Sequence, residues 1–290
     1  MRFLLLLWSA RGVPALTTST TVYPGTLRGT VAVPASKSHT IRALLIAALA
    51  DGESHINNAL DSADARSCIT ALETFGADVQ IGTEAAQGLS VSVQGVGPRV
   101  FGSSSADLRI DVGNSGTTLF LATALSALRT GKTRFDGDAS IRTRSAGPLL
   151  HALTDLGATV SFEGTPDHAP FTITGPLVGG KTAIECPTSQ YLSALLLAAP
   201  LIYGDHDAGP PGTVSESSDE SAGASARGTT TDNELTTTVE VPLLYERPYV
   251  DMTLSWLDNQ GIAYQRKEYA RFSVPGGQSF QPFHRALEGD

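Results

Sequence analysis

Three segments of the chain each join small hydrogen-bonding residues to a long run of leucine and alanine. They read SKSHTIRALLIAALADGESHI, NSGTTLFLATALSALRTGKTRF and TSQYLSALLLAAPLIYGDH, and each apolar run is followed by a glycine. A helix that is apolar on every face is buried, and serine, threonine or asparagine commonly caps its N-terminus. The sequence predicts three buried helices capped near Ser38 (or Thr40), Ser115 and Ser189, which are 77 and 74 residues apart.

A second type of segment alternates with the first. ITALETFGADVQI, LHALTDLGATVSF and TLSWLDNQGIAYQ each combine an amphipathic helix, a glycine and a short strand. The glycines Gly76 and Gly157 are 81 residues apart, and Gly157 and Gly261 are 104 apart, or about 75 without a low-complexity stretch of about 30 residues. Val33 to Ala35 is interpreted as the end of a strand. The two recurring types of segment together predict that the chain repeats a unit of two helices with strands between them, an α/β fold.

Composition and charge narrow the class of protein. The chain has 290 residues, 41% of them hydrophobic, and a formal net charge of −9, which argues against non-specific binding to nucleic acid. Residues 205–234 hold seven acidic residues and one arginine, a net charge of −6, and almost no large apolar residues. Such a stretch cannot bury enough surface to fold, so we expect a disordered insertion. A regulatory acidic segment is the alternative.

The N-terminus and the cysteines carry weaker signals. Arg2 and the apolar run from Phe3 to Trp8 resemble a signal peptide, but the run is shorter than is usual and too short to cross a membrane. We therefore predict a cytoplasmic protein with an N-terminal extension at residues 1–15. Cys68 and Cys186 show neither metal-ligand spacing nor a disulfide framework, and each is interpreted as a small core residue.

The three predicted helix N-termini are candidates for an anion-binding site. Free backbone N–H groups and a partial positive charge attract phosphate or carboxylate to such a terminus. A repeat would point all three at one region, although three ordinary caps explain the same residues. The termini carry the segments Lys37-Ser38, Asn114-Ser115-Gly116-Thr117 and Thr188-Ser189-Gln190.

Two further arginines lie between a strand and the helix that starts near Ala146. Arg142 and Arg144 are spaced so that both could bind one carboxylate, since a guanidinium matches a carboxylate with two parallel hydrogen bonds. A solvated basic turn is the alternative interpretation.

At these residues the chain resembles a known family, the enolpyruvyl transferases. The resemblance covers the chain from about residue 27 to the end, apart from the insertion. The branch that acts on shikimate 3-phosphate is the closer likeness. The sister branch, which acts on UDP-N-acetylglucosamine, normally has Lys-Asn where this chain has Lys37-Ser38, and a reactive loop cysteine that neither Cys68 nor Cys186 matches. The matching stretches are PASKSHTIRALLIAALADG, LDSADARSCITAL, GNSGTTLFL, DGDASIRTR, TSQYLSALLLAAPL, RPYVDMTL and VPGGQSFQP.

The resemblance implies a fold and a reaction. The fold is the inside-out α/β barrel of two domains built from repeated βαβαββ units, with the active site in the cleft between them. The reaction transfers the enolpyruvyl group of phosphoenolpyruvate to the 5-hydroxyl of shikimate 3-phosphate and releases phosphate, a step of chorismate and aromatic amino acid biosynthesis. It implies no metal or organic cofactor, a monomer in the full-length form, and no nucleic-acid or membrane partner.

The resemblance also assigns binding residues. For shikimate 3-phosphate it implies Lys37, Ser38, Arg42, Thr188, Ser189, Gln190 and Tyr249. For phosphoenolpyruvate it implies Lys37, Asn114, Gly116, Thr117, Arg144 and Gln190.

Three positions depart from the family pattern. Phe120 stands where many members have arginine, and Ser145 stands where proline is usual. Glu246 lies where a serine that contacts phosphate is common, and a glutamate there would repel a phosphate.

The resemblance divides the chain unevenly. We expect part of the second domain at residues 16–36, a three-unit substrate-binding domain at 37–245, and a poorly supported start of the second domain at 246–290. Family members continue beyond the segment that matches the end of this chain, so the catalytic acid and base are expected beyond Asp290. Acids such as Asp61, Asp64 and Asp251 are interpreted as caps and ion-pair partners.

Three alternatives remain for the function of the chain. The first is a non-catalytic binder of shikimate 3-phosphate, the second is half of an enzyme encoded as two chains, and the third is a member of the UDP-N-acetylglucosamine branch. Retained binding without turnover would favour the first, activity restored by a second chain the next, and a substrate swap would test the last.

Overall fold

The computed structural model describes residues 21, 23, 25–26, 28–82, 88–204 and 235–289. The chain divides into two compact units, Met1–Val33 and Pro34–Asp290. In the first unit the described residues belong to no helix or strand. The predicted extension at 1–15 and the predicted insertion at 205–234 lie outside the described residues.

The second unit contains twelve strands and seven α-helices among its described residues. The first stretch comprises α1 (Lys37–Leu49), β1 (Glu53–Ala59), α2 (Ala63–Thr74), β2 (Asp78–Gly82), β3 (Leu89–Gln94) and the short α3 (Pro98–Ser103). The second comprises β4 (Leu108–Asp111), α4 (Gly116–Ser126), β5 (Lys132–Asp136), α5 (Gly147–Asp155), β6 (Thr159–Phe162) and β7 (Phe171–Thr174). The third comprises β8 (Gly180–Cys186), α6 (Ser189–Ala198), β9 (Thr237–Leu244), α7 (Arg247–Asn259), β10 (Gln265–Lys267), β11 (Arg271–Val274) and finally β12 (His284–Ala286).

The strands form three four-stranded sheets with one shared topology. The second and third stretches give the orders β4-β5-β7-β6 and β8-β9-β11-β10, in which the first two strands are parallel and the others antiparallel. A helix crosses between the two parallel strands, α4 in one unit and α6 in the other. The predicted α/β fold of repeated βαβαββ units is confirmed.

The first sheet obtains its opening strand from the far end of the chain. Its order is β12-β1-β3-β2, and β12 is parallel to β1, with His55 opposite His284 and Asn57 opposite Ala286. The predicted strand end at Val33 to Ala35 is not found, since only a single bridge joins Ala35 to Gly289. Strand β12 therefore supplies the first strand of this sheet.

The described residues on both sides of the predicted domain boundary after residue 245 belong to one compact unit. Helix α7 and strands β10 and β11 complete the third βαβαββ unit, and β12 completes the first sheet. A boundary at 245 would cut the third unit after its second strand. Residues 246–289 consequently pack with the described residues of 37–244 in one compact unit.

Helices α1, α4 and α6 are the buried helices that the apolar runs predict. Every residue of α4 is buried, and so is α1 from Thr40 onward. Helix α4 contacts both α1 and α6, while the amphipathic α2, α5 and α7 keep an exposed face. The observed N-caps are Ser36, Ser115 and Thr188, so two of the three lie one or two residues before their predicted positions.

At the end of each unit, a glycine allows the chain to come close to the C-terminal end of a buried helix. A Cβ atom on Gly95, Gly175 or Gly276 would lie 2.4 Å or less from a backbone carbonyl oxygen of the residues that end α1, α4 or the turn after α6. The chain next to each glycine donates N–H groups to these carbonyls, as from Gly97 to Ala50 at 3.1 Å. The last carbonyls of a helix lack partners within the helix, so these contacts explain how such helices end inside the protein.

Replacement of Gly95 tests this close approach. Gly95→Ala should lower the free energy of unfolding by about 2 kcal/mol or more, because the added Cβ meets backbone oxygens that cannot move aside easily. Gly164→Ala is the matched control, since no atom lies within 4 Å of the added Cβ, and it should change stability by less than about 1 kcal/mol. Urea unfolding measures both, and equal effects would refute the steric argument.

The two cysteines provide a second test of the packing. Both are fully buried, and burial raises the pKa of each thiol to about 12. The thiolate is the reactive form, so both should resist an aromatic disulfide reagent at pH 8 in the native protein and react fully in denaturant. Rapid modification of either thiol in the native protein would contradict this packing.

Candidate functional site

The N-terminal turns of four helices line one small pocket. Helices α1, α4, α6 and α7 contribute to it, and its volume is about 150 Å³. The structure therefore brings the predicted helix N-termini together. Most of the lining residues are predicted to bind substrate, and the exception is Glu246, a position that departs from the family pattern. The lining residues are Lys37, Ser38, Arg42, Thr117, Ser189, Gln190, Glu246 and Tyr249.

Arg42 is a buried cation whose protein partners are all neutral. Its side chain donates from Nε to Thr253 Oγ1 at 2.8 Å and from Nη2 to Ser193 Oγ at 3.0 Å. It also donates to the backbone carbonyls of Ser38 and Tyr249 at 3.1 and 3.2 Å. No carboxylate among the described residues lies within 4.0 Å of it.

The position of Arg42 favours an anionic ligand. Burial lowers the pKa of Arg42 to about 10, so the guanidinium stays charged at neutral pH. A buried charge is costly unless an opposite charge or a full set of hydrogen bonds compensates it. Because Arg42 lines the pocket, a phosphate or carboxylate bound there would supply the missing negative charge.

Arg129 shows what a structural buried arginine looks like in the same protein. It donates to Thr133 Oγ1 at 2.9 Å, to Ser104 Oγ at 3.1 Å and to the carbonyl of Ala106 at 2.7 Å. Burial lowers the pKa of Arg129, while the charge of Asp107 opposes that shift. Arg129 is absent from the lining of the pocket that contains Arg42, so it provides a matched comparison for that residue.

Lys37 supplies a more exposed cation at the start of α1. Its side chain is 46% exposed, and its Nζ atom lies 3.6 Å from Asp64 Oδ1. An exposed ion pair of this kind is weak, so Lys37 can exchange its partner for a ligand at little cost. Asp61 pairs with Arg66 and Asp251 with Arg266, so all three acids take part in ion pairs, as their structural interpretation predicts.

Gln190 leaves a buried acceptor in the pocket. Its Oε1 atom is buried and has no hydrogen-bond partner in the structure. A buried carbonyl oxygen without a donor is costly, so a hydroxyl group of a ligand would complete it. Thr188 has a different role, because it is absent from the pocket lining and its side chain caps α6 through the N–H of Gln190.

Glu246 places a carboxylate at the N-terminus of α6. Its Oε2 atom accepts hydrogen bonds from the backbone N–H of Ser189 at 3.4 Å and from Ser189 Oγ at 3.2 Å. Ser189 is the first residue of α6, where a helix attracts negative charge. The protein's own carboxylate thus occupies one of the anion-attracting positions of the pocket.

A second cluster of predicted residues lies at the N-terminus of α4. Arg144 Nη2 donates to Asn114 Oδ1 at 3.2 Å. A Cβ on Gly116 would lie 2.7 Å from Arg144 Nη1, so the glycine allows the guanidinium to approach the helix. Thr117, the next residue, lines the first pocket and connects the two clusters.

The two arginines of the loop before α5 separate in the structure. Arg142 donates from Nε and Nη2 to the two carboxylate oxygens of Asp136, each at 2.9 Å. It therefore belongs to a surface ion pair, and only Arg144 faces the helix N-terminus.

Packing explains one of the departures from the family pattern, Phe120, and the backbone of a second, Ser145, belongs to the same contact. Phe120 is buried and meets Tyr191 edge-on, with ring centroids 4.9 Å apart. The hydroxyl of Tyr191 donates to the carbonyl of Ser145 at 2.6 Å. Phe120 and Ser145 thus contribute to one contact between α4, α6 and the loop before α5.

The two hydroxyl residues that hold Arg42 were not predicted from the sequence. Ser193 lies in the apolar run of α6, and Thr253 lies in α7. Their one signal is that each is a polar residue on the buried face of a helix, and Thr253 also donates to Ser193 Oγ at 2.9 Å.

The described residues contain neither a metal-binding cluster of side chains nor a helix suited to span a membrane. They contain no group of three or more histidine, cysteine, aspartate or glutamate residues placed to hold a metal ion. Among their helices, none combines the length and apolar character needed to cross a membrane.

Comparisons with known proteins identify the family and agree with the fold. The family model described as EPSP synthase (3-phosphoshikimate 1-carboxyvinyltransferase) matches residues 22–208. A protein of Ruminiclostridium cellulolyticum named 3-phosphoshikimate 1-carboxyvinyltransferase is 38% identical over 266 residues, which are 91% of this chain and 53% of that protein. A protein of the same name from Acetivibrio thermocellus is 39% identical over 264 residues, 90% of this chain and 53% of its own length.

A solved structure shares the fold at lower identity. The EPSP synthase of Acinetobacter baumannii superposes with a TM-score of 0.67 and 22% identity, covering 89% of this chain and 49% of that one. The chain spans about half the length of the curated relatives that it matches. Since the family model covers more than half of the chain, this protein belongs to the EPSP synthase family.

Proposed function

We propose that this chain binds shikimate 3-phosphate and phosphoenolpyruvate. We further propose that it forms the binding wall of an enzyme that transfers the enolpyruvyl group to the 5-hydroxyl of shikimate 3-phosphate and releases phosphate. The observation that carries the proposal is the buried Arg42, which has only neutral partners and lines a pocket at four helix N-termini. The names of the relatives, 3-phosphoshikimate 1-carboxyvinyltransferase, support the same pair of substrates.

The pocket suits the phosphate ester of shikimate 3-phosphate. In this proposal Lys37, Ser38 and Arg42 hold the phosphate, with two positive charges and the partial positive charge at the N-terminus of α1. Gln190 Oε1 accepts a hydrogen bond from a ring hydroxyl, which satisfies its buried acceptor. Tyr249, whose ring is partly exposed at the rim, packs beside the shikimate ring. Ser189 completes this wall, and Thr188 acts indirectly by capping α6.

The cluster beside α4 suits phosphoenolpyruvate. Arg144 would hold its phosphate or carboxylate in a fork of two hydrogen bonds, and Asn114 orients that guanidinium. Gly116 and Thr117 offer backbone N–H groups at the helix N-terminus. Lys37 and Gln190 lie between the substrates in this arrangement and contact both.

The transfer also needs a base for the 5-hydroxyl and a proton donor for the methylene carbon of phosphoenolpyruvate. We assign neither role to a residue of this chain, and a position beyond Asp290 stays a prediction. Placement of residues 16–36 in a second domain, a cytoplasmic location, a monomeric full-length form and the lack of a cofactor also stay predictions.

A second candidate function is binding without turnover. Of the two acids that lie in or next to the pocket, Asp64 pairs with Lys37 and Glu246 accepts hydrogen bonds from Ser189. Each carboxylate is thus engaged by other groups of the protein, which supports a binding role for this chain by itself.

Substitution of Arg42 tests the proposed phosphate contact. Arg42→Met should weaken the binding of shikimate 3-phosphate by about 30-fold or more, because a charge-assisted hydrogen bond to a desolvated anion contributes about 2 kcal/mol. Arg129→Met, which removes the buried arginine outside this pocket, should lose comparable stability and keep its affinity. Titration calorimetry measures binding, and equal affinity losses in both variants would oppose the proposal.

Substitution of two exposed lysines tests the site without the risk that a buried substitution prevents folding. Lys37→Ala removes a partly exposed cation of the pocket, and Lys132→Ala removes an exposed lysine of β5. Both should fold normally, and only Lys37→Ala should weaken binding. Unchanged binding in Lys37→Ala would count against the assigned site.

Phosphate release separates the two candidate functions. The 290-residue chain should bind shikimate 3-phosphate and release no phosphate when phosphoenolpyruvate is added, if the acid and base lie outside it. Steady release that depends on both substrates would place an acid and a base within this chain, contrary to our expectation. Absence of binding to shikimate 3-phosphate would overturn the proposed function itself.

A further inference from the structure

We propose that Glu246 competes with the anionic substrate for the N-terminus of α6 and thereby sets the affinity of the pocket for phosphorylated ligands. The inference rests on the proposed function, since it concerns the same pocket. It assigns Glu246 an affinity-determining role rather than a catalytic one.

The hydrogen bonds of Glu246 are those that an anionic ligand would seek. The backbone N–H of Ser189 and its hydroxyl both point to Glu246 Oε2. The first is an N–H group that has no partner within its own helix, and the second is the hydroxyl of a residue that lines the pocket. A ligand phosphate can gain these two donors only when the carboxylate of Glu246 moves away.

The backbone at Glu246 is consistent with a side chain committed to α6. Glu246 is the N-cap residue of α7, yet its side chain makes no capping hydrogen bond to that helix. Its φ of 57° lies in the left-handed region, which is unfavourable for a residue other than glycine. The side chain therefore does not cap α7 and instead accepts a hydrogen bond from Ser189, which lies 57 positions earlier in the chain.

The charges around Glu246 leave the competition open. Lys37 and Arg42 line the same pocket, but no cation among the described residues lies within 4.0 Å of the Glu246 carboxylate. Glu246 is thus bound by neutral donors, while Arg42 keeps neutral partners of its own. Two cations stay available to a ligand, and one protein carboxylate opposes it.

Glu246 also differs in its effect on charged and uncharged ligands. Repulsion between the carboxylate and a phosphate acts at a distance of several ångströms, whereas a hydroxyl group experiences little of it. Removal of the charge at 246 should therefore improve the binding of a phosphorylated ligand and leave an unphosphorylated analogue unchanged. This selectivity separates electrostatic competition from a general change of pocket shape.

The test compares Glu246→Gln with the native protein. Glutamine has nearly the same shape and its Oε1 can still accept from Ser189, so the fold is retained. The affinity for shikimate 3-phosphate should rise roughly tenfold, as expected for one removed like charge near a partly exposed site, while the affinity for shikimate should not change. Glu240→Gln, which removes an exposed carboxylate of β9 that pairs with Arg271, is the control for net charge and should have no effect.

Three results would overturn the inference. They are an unchanged affinity of Glu246→Gln for shikimate 3-phosphate, a lower affinity, and a rise in affinity that is equally large for shikimate. A fall would mean that Glu246 holds the substrate, as an acceptor for one of its hydroxyl groups.

A second probe keeps the inference separate from the proposed function. Inorganic phosphate is titrated into the native protein, Glu246→Gln and Glu246→Ser, and the rise in melting temperature is measured. If no protein binds shikimate 3-phosphate, the proposed function fails, while a larger phosphate-induced rise in both variants still supports competition by Glu246. An equal rise in all three proteins would refute it.

Discussion

The polar ends of three fully apolar helices are the constraint on which this structure depends. Helices α1, α4 and α6 are buried along nearly their whole length, so water cannot satisfy their terminal backbone groups. At their C-terminal ends, the chain beside Gly95, Gly175 and Gly276 approaches closely enough to donate to the last carbonyls. At their N-terminal ends, side chains accept hydrogen bonds from the first N–H groups: Ser36 in α1, Ser115 in α4, and Thr188 and Glu246 in α6. The C-terminal ends of the three helices are therefore closed by backbone N–H groups, and the N-terminal ends are capped by side chains beside the pocket.

Local patterns predicted the parts of the fold that local chemistry determines. The apolar runs and their glycines gave the three buried helices, and the cap at Ser115 is the residue expected. The glycines at 76, 157 and 261 have positive φ values, as the pattern of helix, glycine and strand requires. The cap of α1 is Ser36 rather than the predicted Ser38. The sequence could not distinguish them, because both are serines at the same helix end and only backbone geometry decides which one caps the helix.

Long-range pairings had no comparable signal. Strand β12 is three residues long and pairs with β1, more than 220 residues earlier, so neither its length nor its pattern indicated the partner. The N–H of Ser36 donates to the carbonyl of Glu288 at 3.1 Å, which ties the start of α1 to the chain after β12. The site showed the same limit, since Lys37, Ser189 and Gln190 were expected there, but the link from Arg42 to Ser193 and Thr253 spans 151 and 211 residues.

The two cations of the pocket differ in a way that suits different tasks. Arg42 is held by α1, α6 and α7 together through Ser38, Ser193, Thr253 and Tyr249, so its guanidinium keeps one orientation before any ligand arrives. Lys37 is half exposed and paired weakly with Asp64, so it can follow a ligand as it binds. A rigid cation reduces the ordering cost of binding, and a mobile one adds charge at the rim. Because α7 supplies both a backbone acceptor for Arg42 and the carboxylate of Glu246, a shift of that helix would alter the anion site and its competitor together.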